Sequence, residues 1–310
     1  MSQTKISIVT TLYKSEGTIG TFITEYLKVL KEIGIEDFEF VIVNDGSPDN
    51  SLEKTLEFKK ELGDKLKVID FSRNFGHHIA FFAGMSLATG ELIYLADSDL
   101  EVDTLNLKKF YEILISNRHL DYIYGYLVKR EDRVLGYLSG FFWNLFSVLS
   151  GFKFESNITT ERLMRKDVSV AITSVGDRNL FMGGIYLWVG FNGQGVEVVR
   201  KKLRKESTYS VKKRIKLALD AITSFSERPL YYLFTIGITT TFFSFIYALF
   251  LLIRKLLYTE YILSGYTSIM LALSFSIGLN MLCVGLIGVY IGKIFNQVKN
   301  RPLYIIKNIY

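Results

Sequence analysis

Asp97 and Asp99 flank Ser98 at the end of the apolar run Leu92-Ile93-Tyr94-Leu95-Ala96. Two carboxylates so placed can hold a hard divalent cation. Mg²⁺ takes one or two carboxylates and completes its shell with phosphate oxygens and water. The chemistry implied is work on a diphosphate. Alone the pair is a weak signal, because acids at this spacing also cap turns and helices. Two other polar clusters, Thr11 to Glu16 and Asn44 to Asp49, also follow apolar runs. His77 and His78 are adjacent, so their side chains project differently, and no third ligand accompanies them. They read as pocket or helix-start residues rather than metal ligands.

The elements that must position these residues alternate. Ile6 to Val9 reads as a strand, followed by Ile19, Phe22, Ile23, Tyr26, Leu27 and Leu30 at helical spacing. Phe38 to Val43 is a second strand, cut off by the turn cluster Asn44-Asp45-Gly46-Ser47-Pro48. Leu52, Leu56 and Leu62 suit a helix, Leu66 to Phe71 a strand, His78 to Ala88 a helix and Leu92 to Ala96 a strand. Such alternation predicts an α/β fold with a mostly parallel sheet covered by helices. Ligands of these sheets bind beyond the carboxyl ends of the strands, where the three polar clusters fall.

The carboxyl-terminal part has a different character. The chain of 310 residues carries a net charge of +6, but no charged residue lies between Arg228 and Arg254 or between Glu260 and Lys293. About 20 apolar residues suffice for a helix to cross a bilayer, and both runs exceed that. Lys and Arg gather before the first run, from Arg200 to Arg228, and after the second, at Lys293, Lys299, Arg301 and Lys307. The connection holds only Arg254 and Lys255, which predicts two cytoplasmic termini and an outward-facing hairpin loop. Met1 to Lys5 leads straight into the first strand, so no signal peptide is expected. A basic cluster beside a span points to anionic lipid headgroups rather than nucleic acid. The lone Cys283 excludes an intrachain disulfide. The aromatic stretch Gly136 to Phe154 suits either a core helix or an interfacial one, and Val211 to Phe225 an interfacial helix. The expected divisions are a catalytic domain over 1–209, an interfacial helix over 210–228, two membrane helices within 229–292 (about 230–253 and 263–292) and a cytoplasmic tail over 293–310.

Several motifs stand in register. Ile8-Val9-Thr10-Thr11-Leu12-Tyr13-Lys14-Ser15-Glu16 opens the chain. Asn44-Asp45-Gly46-Ser47-Pro48-Asp49, Arg73-Asn74-Phe75-Gly76, Ala83-Gly84 and Ala88-Thr89-Gly90-Glu91 then lead to the D-x-D strand. In this order they resemble family 2 glycosyltransferases of the GT-A fold. Asn179 to Gly184, Trp188 to Phe191, Ser207-Thr208-Tyr209, Leu217 to Asp220 and Ser224-Phe225-Ser226 are similar to the polyprenyl-phosphate glycosyltransferases of that family. The resemblance implies that Thr11, Tyr13 and Asp45 hold the nucleotide base and ribose, with Arg73 close by. Asp97 would face ribose and donor sugar, and Asp99 would ligate Mg²⁺ or Mn²⁺. Lys202 would face phosphate near Ser207 and Tyr209. It further implies an inverting transfer from a nucleotide-sugar, a UDP-hexose on family grounds, to a polyprenyl phosphate at the cytoplasmic membrane face. A homo-oligomer and a downstream flippase are implied partners.

Two positions depart from the family pattern. Ser15 stands where a Glu often serves the base pocket. Thr160, in Thr159-Thr160-Glu161-Arg162-Leu163, stands where many relatives carry an Asp proposed as base or acceptor organiser. Arg162 is retained and could bind acceptor phosphate. A hydroxyl acceptor needs a general base worth about 10²–10⁴-fold in rate. A phosphate monoester, with a second pKa of about 6, is already ionised. The departure therefore fits a lipid-phosphate acceptor. A hydroxyl acceptor on a lipid-linked or polymeric glycan, and a degenerate nucleotide-sugar-binding scaffold, remain the alternatives.

Overall fold

The computed structural model describes residues 4–127, 158–178, 180, 182–199, 223, 226–257 and 265–310. Lys202, Ser207, Tyr209, the aromatic run at 136–154 and nearly all of 211–225 lie outside them. The chain divides into two units: residues 1–140, 153–210 and 301–310 form one, and 141–152 with 211–300 the other.

The first unit is built on β1 (Ile6–Leu12), β2 (Phe38–Asn44), β3 (Leu66–Phe71), β4 (Leu92–Leu95), β5 (Tyr122–Tyr126), β6 (Ile158–Arg165), β7 (Gly193–Glu197) and β8 (Ile306–Ile309). They make one sheet in the order β7-β5-β6-β4-β1-β2-β3-β8. β1 is buried along its whole length and pairs in parallel with β2 and β4. Helices cover both its faces, which is why all of its residues are buried, Ser7, Thr10 and Thr11 included. On one face lie α1 (Ile19–Glu32), α2 (Ser51–Leu62) and α4 (Asn106–Ser116). α1 turns Ile19, Phe22, Ile23, Tyr26, Val29 and Leu30 inward at helical spacing, onto Ile6, Ile8, Phe40 and Tyr94. On the other face α3 (His77–Leu87) packs on β1 and β2 and against α5 (Lys166–Ser174). Gly84 permits that approach, since a Cβ there would collide with the Val9 side chain. A short helix, α6 (Met182–Trp188), precedes β7.

The parallel order expected for the first four strands is present, and the sheet as a whole is mixed. β6 enters antiparallel between β4 and β5. Residues 301–310, read from the sequence as a tail, rejoin the sheet. β8 pairs antiparallel with β3, and the Ser72 amide donates to the Ile305 carbonyl at 3.0 Å. The Tyr304 ring stacks on Phe71 at 5.1 Å.

The second unit contains α7 (Arg228–Leu257) and α8 (Tyr266–Val298). Each includes a segment long and apolar enough to cross a bilayer, Arg228–Tyr247 and Phe275–Val298. Phe234, Phe242, Phe243, Phe245 and Phe275 expose more than half of their surface. The threonine hydroxyls within α7 are satisfied internally: Thr235, Thr239 and Thr241 each donate a hydroxyl proton to the carbonyl four residues back. That arrangement suits a helix in hydrocarbon, where water offers no alternative partner.

If β8 is an integral strand, deleting residues 301–310 exposes the β3 edge and the Phe71 ring. We expect a melting temperature lowered by at least about 3 °C in detergent, the shift that follows from roughly 1 kcal/mol in a unit of this size. An unchanged melting curve would show that β8 adds nothing to the unit.

Candidate active site

The parallel register of β2, β1 and β4 brings three strand ends to one rim, with Leu12 beside Asn44 and Val9 beside Leu95. The loops that follow are tied by side chains. The Ser98 hydroxyl donates to the Thr11 carbonyl at 2.9 Å and lies 2.9 Å from Ser15 Oγ. Ser15 Oγ also accepts from the Tyr13 amide at 3.3 Å, and the Ser15 amide donates to Ser51 Oγ at 2.9 Å. Ser15 is thus a small polar bridge between the β1, β2 and β4 loops, buried where a longer carboxylate would have to reach solvent or ligand. Asp49 closes the same knot, accepting from Ser47, Ser51 and the Glu16 amide. Desolvation pushes its carboxyl upward, but these donors outweigh it and draw the pKa down to about 2.

Asp45 is buried, and its carboxylate accepts from the Phe75 amide at 2.7 Å and the Gly76 amide at 3.0 Å. It holds the 73–76 loop rather than standing open to the rim. Burial raises its pKa, and the two amides, His77 and Arg73 offset this only in part. Gly46, at φ +61°, is required here: a Cβ would lie 2.6 Å from the Arg73 carbonyl carbon. Arg73 and Tyr13 both reach solvent at the rim. The Arg73 guanidinium covers the Phe75 ring at 4.1 Å, and Tyr13 is 51% exposed. Lys14 and Leu100 adopt φ of 57° and 55°. Such left-handed backbone is costly for residues with a Cβ and turns the chain sharply beside Tyr13 and Asp99.

Asp97 is where the two halves of the sheet meet. The β4–β6 register pairs Leu95 with Arg162. Continued by two residues, it sets Asp97 opposite Thr160. Asp97 lines the same small cavity as Thr160 and faces His77, whose Nε2 lies 3.1 Å from Asp97 Oδ1. Burial would raise the Asp97 pKa; the His77 contact, then Thr160 and His78, overcome it and hold the carboxyl below its usual range. His77 Nδ1 lies 3.0 Å from Thr11 Oγ1. Asp99 is exposed and accepts the Glu101 amide at 3.0 Å. Arg162 shares the Thr160 face of β6. Its Nη1 donates to the Thr159 and Thr160 carbonyls, and its guanidinium lies 4.4 Å from the centre of the Tyr186 ring.

Glu161 points to the opposite face, as strand alternation requires. It is buried and accepts from Asn106 Nδ2 at 3.0 Å. Burial is the first cause of a pKa raised to about 8, and the nearby Asp97 and Asp103 add to it against the Asn106 hydrogen bond and the neighbouring Tyr94 hydroxyl. The side chain is therefore a core residue whose proton is held well above the usual carboxylate range, and it does not replace the Asp absent at 160.

Asp97 and Asp99 form an oxygen-only donor pair on one loop, at the mouth of a small cavity lined by Thr160, Glu161 and Leu100. This suits Mg²⁺ or Mn²⁺ sharing ligands with a diphosphate. No cluster of three or more His, Cys, Asp or Glu that could hold a metal occurs among the described residues, so phosphate and water would complete the shell. Sequence reasoning did not find the bridging roles of Ser98, His77 and Glu161. For Ser98 a signal existed, since the residue between two rim carboxylates must point back into the fold. For His77 and Glu161 none did, because their partners come from distant strands.

The model of glycosyl transferase family 2 matches residues 7–178. The bactoprenol glucosyl transferase of Shigella phage SfII is 34% identical, covering 98% of this chain and 97% of that one. A prophage bactoprenol glucosyl transferase homolog of Escherichia coli (strain K12) is 33% identical, covering 98% and 99%. A crystal structure of glucosyl-3-phosphoglycerate synthase from Mycobacterium tuberculosis with Mn²⁺, uridine diphosphate and phosphoglyceric acid aligns at TM-score 0.48. It is 12% identical, over 73% of this chain and 78% of that one.

The raised pKa of Glu161 makes stability depend on pH. The folded state keeps the proton up to about 8, while the unfolded chain releases it near 4.5. This contribution is complete below 4.5 and is lost as pH rises toward 8, on the order of a few kcal/mol in all. Glu161→Gln should remove that slope. Melting temperatures of both proteins across pH ~5 to ~8 test it, and parallel curves would contradict the assignment.

Proposed function

This chain belongs to glycosyl transferase family 2, and from that we propose that it transfers a hexose, with inversion, from a UDP-sugar to a polyprenyl phosphate at the cytoplasmic face of a membrane. A phosphate oxygen of the acceptor attacks the anomeric carbon. The bond from that carbon to the diphosphate oxygen breaks, and the nucleoside diphosphate leaves from the opposite face. Tyr13 and Arg73, exposed on the rim, would hold the nucleotide with Thr11, while Asp45 keeps the Arg73 loop in place. Asp97 and Asp99 would hold Mg²⁺ or Mn²⁺, which when bound neutralises charge gathering on the leaving diphosphate. Arg162, with Lys202, Ser207 and Tyr209, would bind phosphate on the acceptor side.

The observation that carries this reading is the pairing of Asp97 with Thr160. Where a general base would serve a hydroxyl acceptor, this chain sets a hydroxyl against Asp97, and the adjacent Glu161 is turned into the core. An acceptor that arrives ionised does not need the missing carboxylate. The relatives named bactoprenol glucosyl transferase support an isoprenoid lipid in that role. α7 and α8 support a membrane hairpin. Because β8 returns to the sheet after α8, the helices must cross an even number of times if they cross at all. The excess of Lys and Arg outside the hairpin loop favours the cytoplasmic side for the sheet.

A hydroxyl acceptor on a glycan is the second reading, favoured by family membership alone. With purified protein, UDP-hexose and polyprenyl phosphate, we expect sugar to enter the lipid fraction and to be released by mild acid, as a glycosyl phosphate is. A product stable to mild acid would move the assignment to the hydroxyl acceptor. Asp99→Ala should lower transfer by at least about 10²-fold, the scale of losing one electrostatic group in a transition state. Full activity in that variant would remove Asp99 from the site.

A further inference from the structure

His77 makes two contacts that the reading above does not use. Its Nδ1 lies 3.0 Å from Thr11 Oγ1 at the end of β1, and its Nε2 lies 3.1 Å from Asp97 Oδ1 beyond the end of β4. One neutral tautomer satisfies both: Thr11 donates to Nδ1, and Nε2–H points to Asp97. The ring meets Phe81 edge-on at 4.7 Å and 84°, which limits its rotation on the first turn of α3. Asp45 fixes that turn by holding the amides of Phe75 and Gly76. The imidazole is therefore placed by the fold before any ligand enters.

Asp97 depends on it. Oδ1 is shut off from solvent and forms no well-aligned hydrogen bond, the His77 approach lying off the ideal line. With His77 in place water does not reach this oxygen. The Asp97 side chain is otherwise partly exposed, so without the imidazole nothing on the β1 side holds the carboxylate and it can turn to water. Thr160, on the other side, can hold Asp97 but cannot tie it to β1.

We propose that His77 is a positioning residue that links Thr11 to Asp97 and sets the Asp97 carboxylate for the cation–diphosphate of the donor. The inference rests on the reading of Asp97 and Asp99 as a donor-metal pair. It assigns His77 no proton transfer and no metal bond; its action is through Asp97. Partners that orient metal ligands in this way change affinity by about 10–100-fold when removed.

The test measures binding, by calorimetry, with the full-length protein in detergent. The ligand is whichever of UDP, GDP or dTDP binds the wild type best, titrated over a range of Mn²⁺ concentrations. His77→Ala should raise the Mn²⁺ needed for half-maximal nucleotide binding by about 10–100-fold. His77→Gln can place an amide N–H where Nε2 stood and should restore most of the loss. His77→Asn reaches only the Nδ1 position and should behave like His77→Ala. A merely structural histidine would not separate Gln from Asn in this way. If His77→Ala lowers the melting temperature, the Gln and Asn pair still decides, because both keep an amide side chain at residue 77 and differ only in its reach. A Mn²⁺ dependence unchanged in His77→Ala, or equal rescue by Asn and Gln, overturns the proposal while leaving the donor site standing. A wild-type protein that binds none of the nucleotides with Mn²⁺ overturns the donor-site reading, and this inference with it.

Discussion

The backbone ladder that seats β1 between β2 and β4 is the constraint on which the site depends. Parallel pairing makes all three strands end at the same rim, so residues 11–16, 44–49 and 97–99 converge although they lie far apart in the chain. Complete burial of β1 makes the register stiff. A slip by one residue would turn its inner side chains to the opposite face and reverse Thr11. The chemistry at the rim is therefore only as well placed as an apolar strand with no catalytic residue along most of its length.

Backbone pairing aligns the strand ends, and polar side chains lock the loops. Ser98 reaches back to Thr11 and Ser15, Asp45 holds the amides that open α3, and Asp49 closes the β2 loop onto Glu16. In each case a side chain from one loop satisfies groups of another, so the loops are ordered without a ligand. Both departures from the family pattern belong to this scheme. Ser15 is short because it bridges two loops. Thr160 is neutral because it faces Asp97, where a second carboxylate would meet like charge at short range.

The apolar helices answer to different physics. In α7, threonine hydroxyls turn back on their own carbonyls while phenylalanines face outward, the reverse of a helix built to pack on a water-soluble core. The strand after α8 gives this part of the chain a covalent return to the sheet. Phe71, stacked on Tyr304, also meets Phe75 in the loop that Asp45 holds, so the last residues of the chain reach the same loop from behind.

By itself the sequence determined the first four strands and their helices, the rim on which the polar clusters lie, and the two long apolar helices. These follow from local rules: apolar runs, helical spacing, turn residues and the length of an uncharged stretch. It also pointed to Asp97 and Asp99, because a strand end is a local feature. Tertiary structure alone decided which residues meet across the sheet. β6 enters antiparallel, and its register with β4 sets Thr160 against Asp97 and buries Glu161 beside Asn106. His77 finds Thr11 and Asp97 only when α3 lies on β1 and β2, and β8 becomes a strand only when the β3 edge is there to pair with it. Local pattern sets what each segment can be. Pairing between segments far apart in the chain is set by packing and backbone hydrogen bonds that no short window of sequence contains.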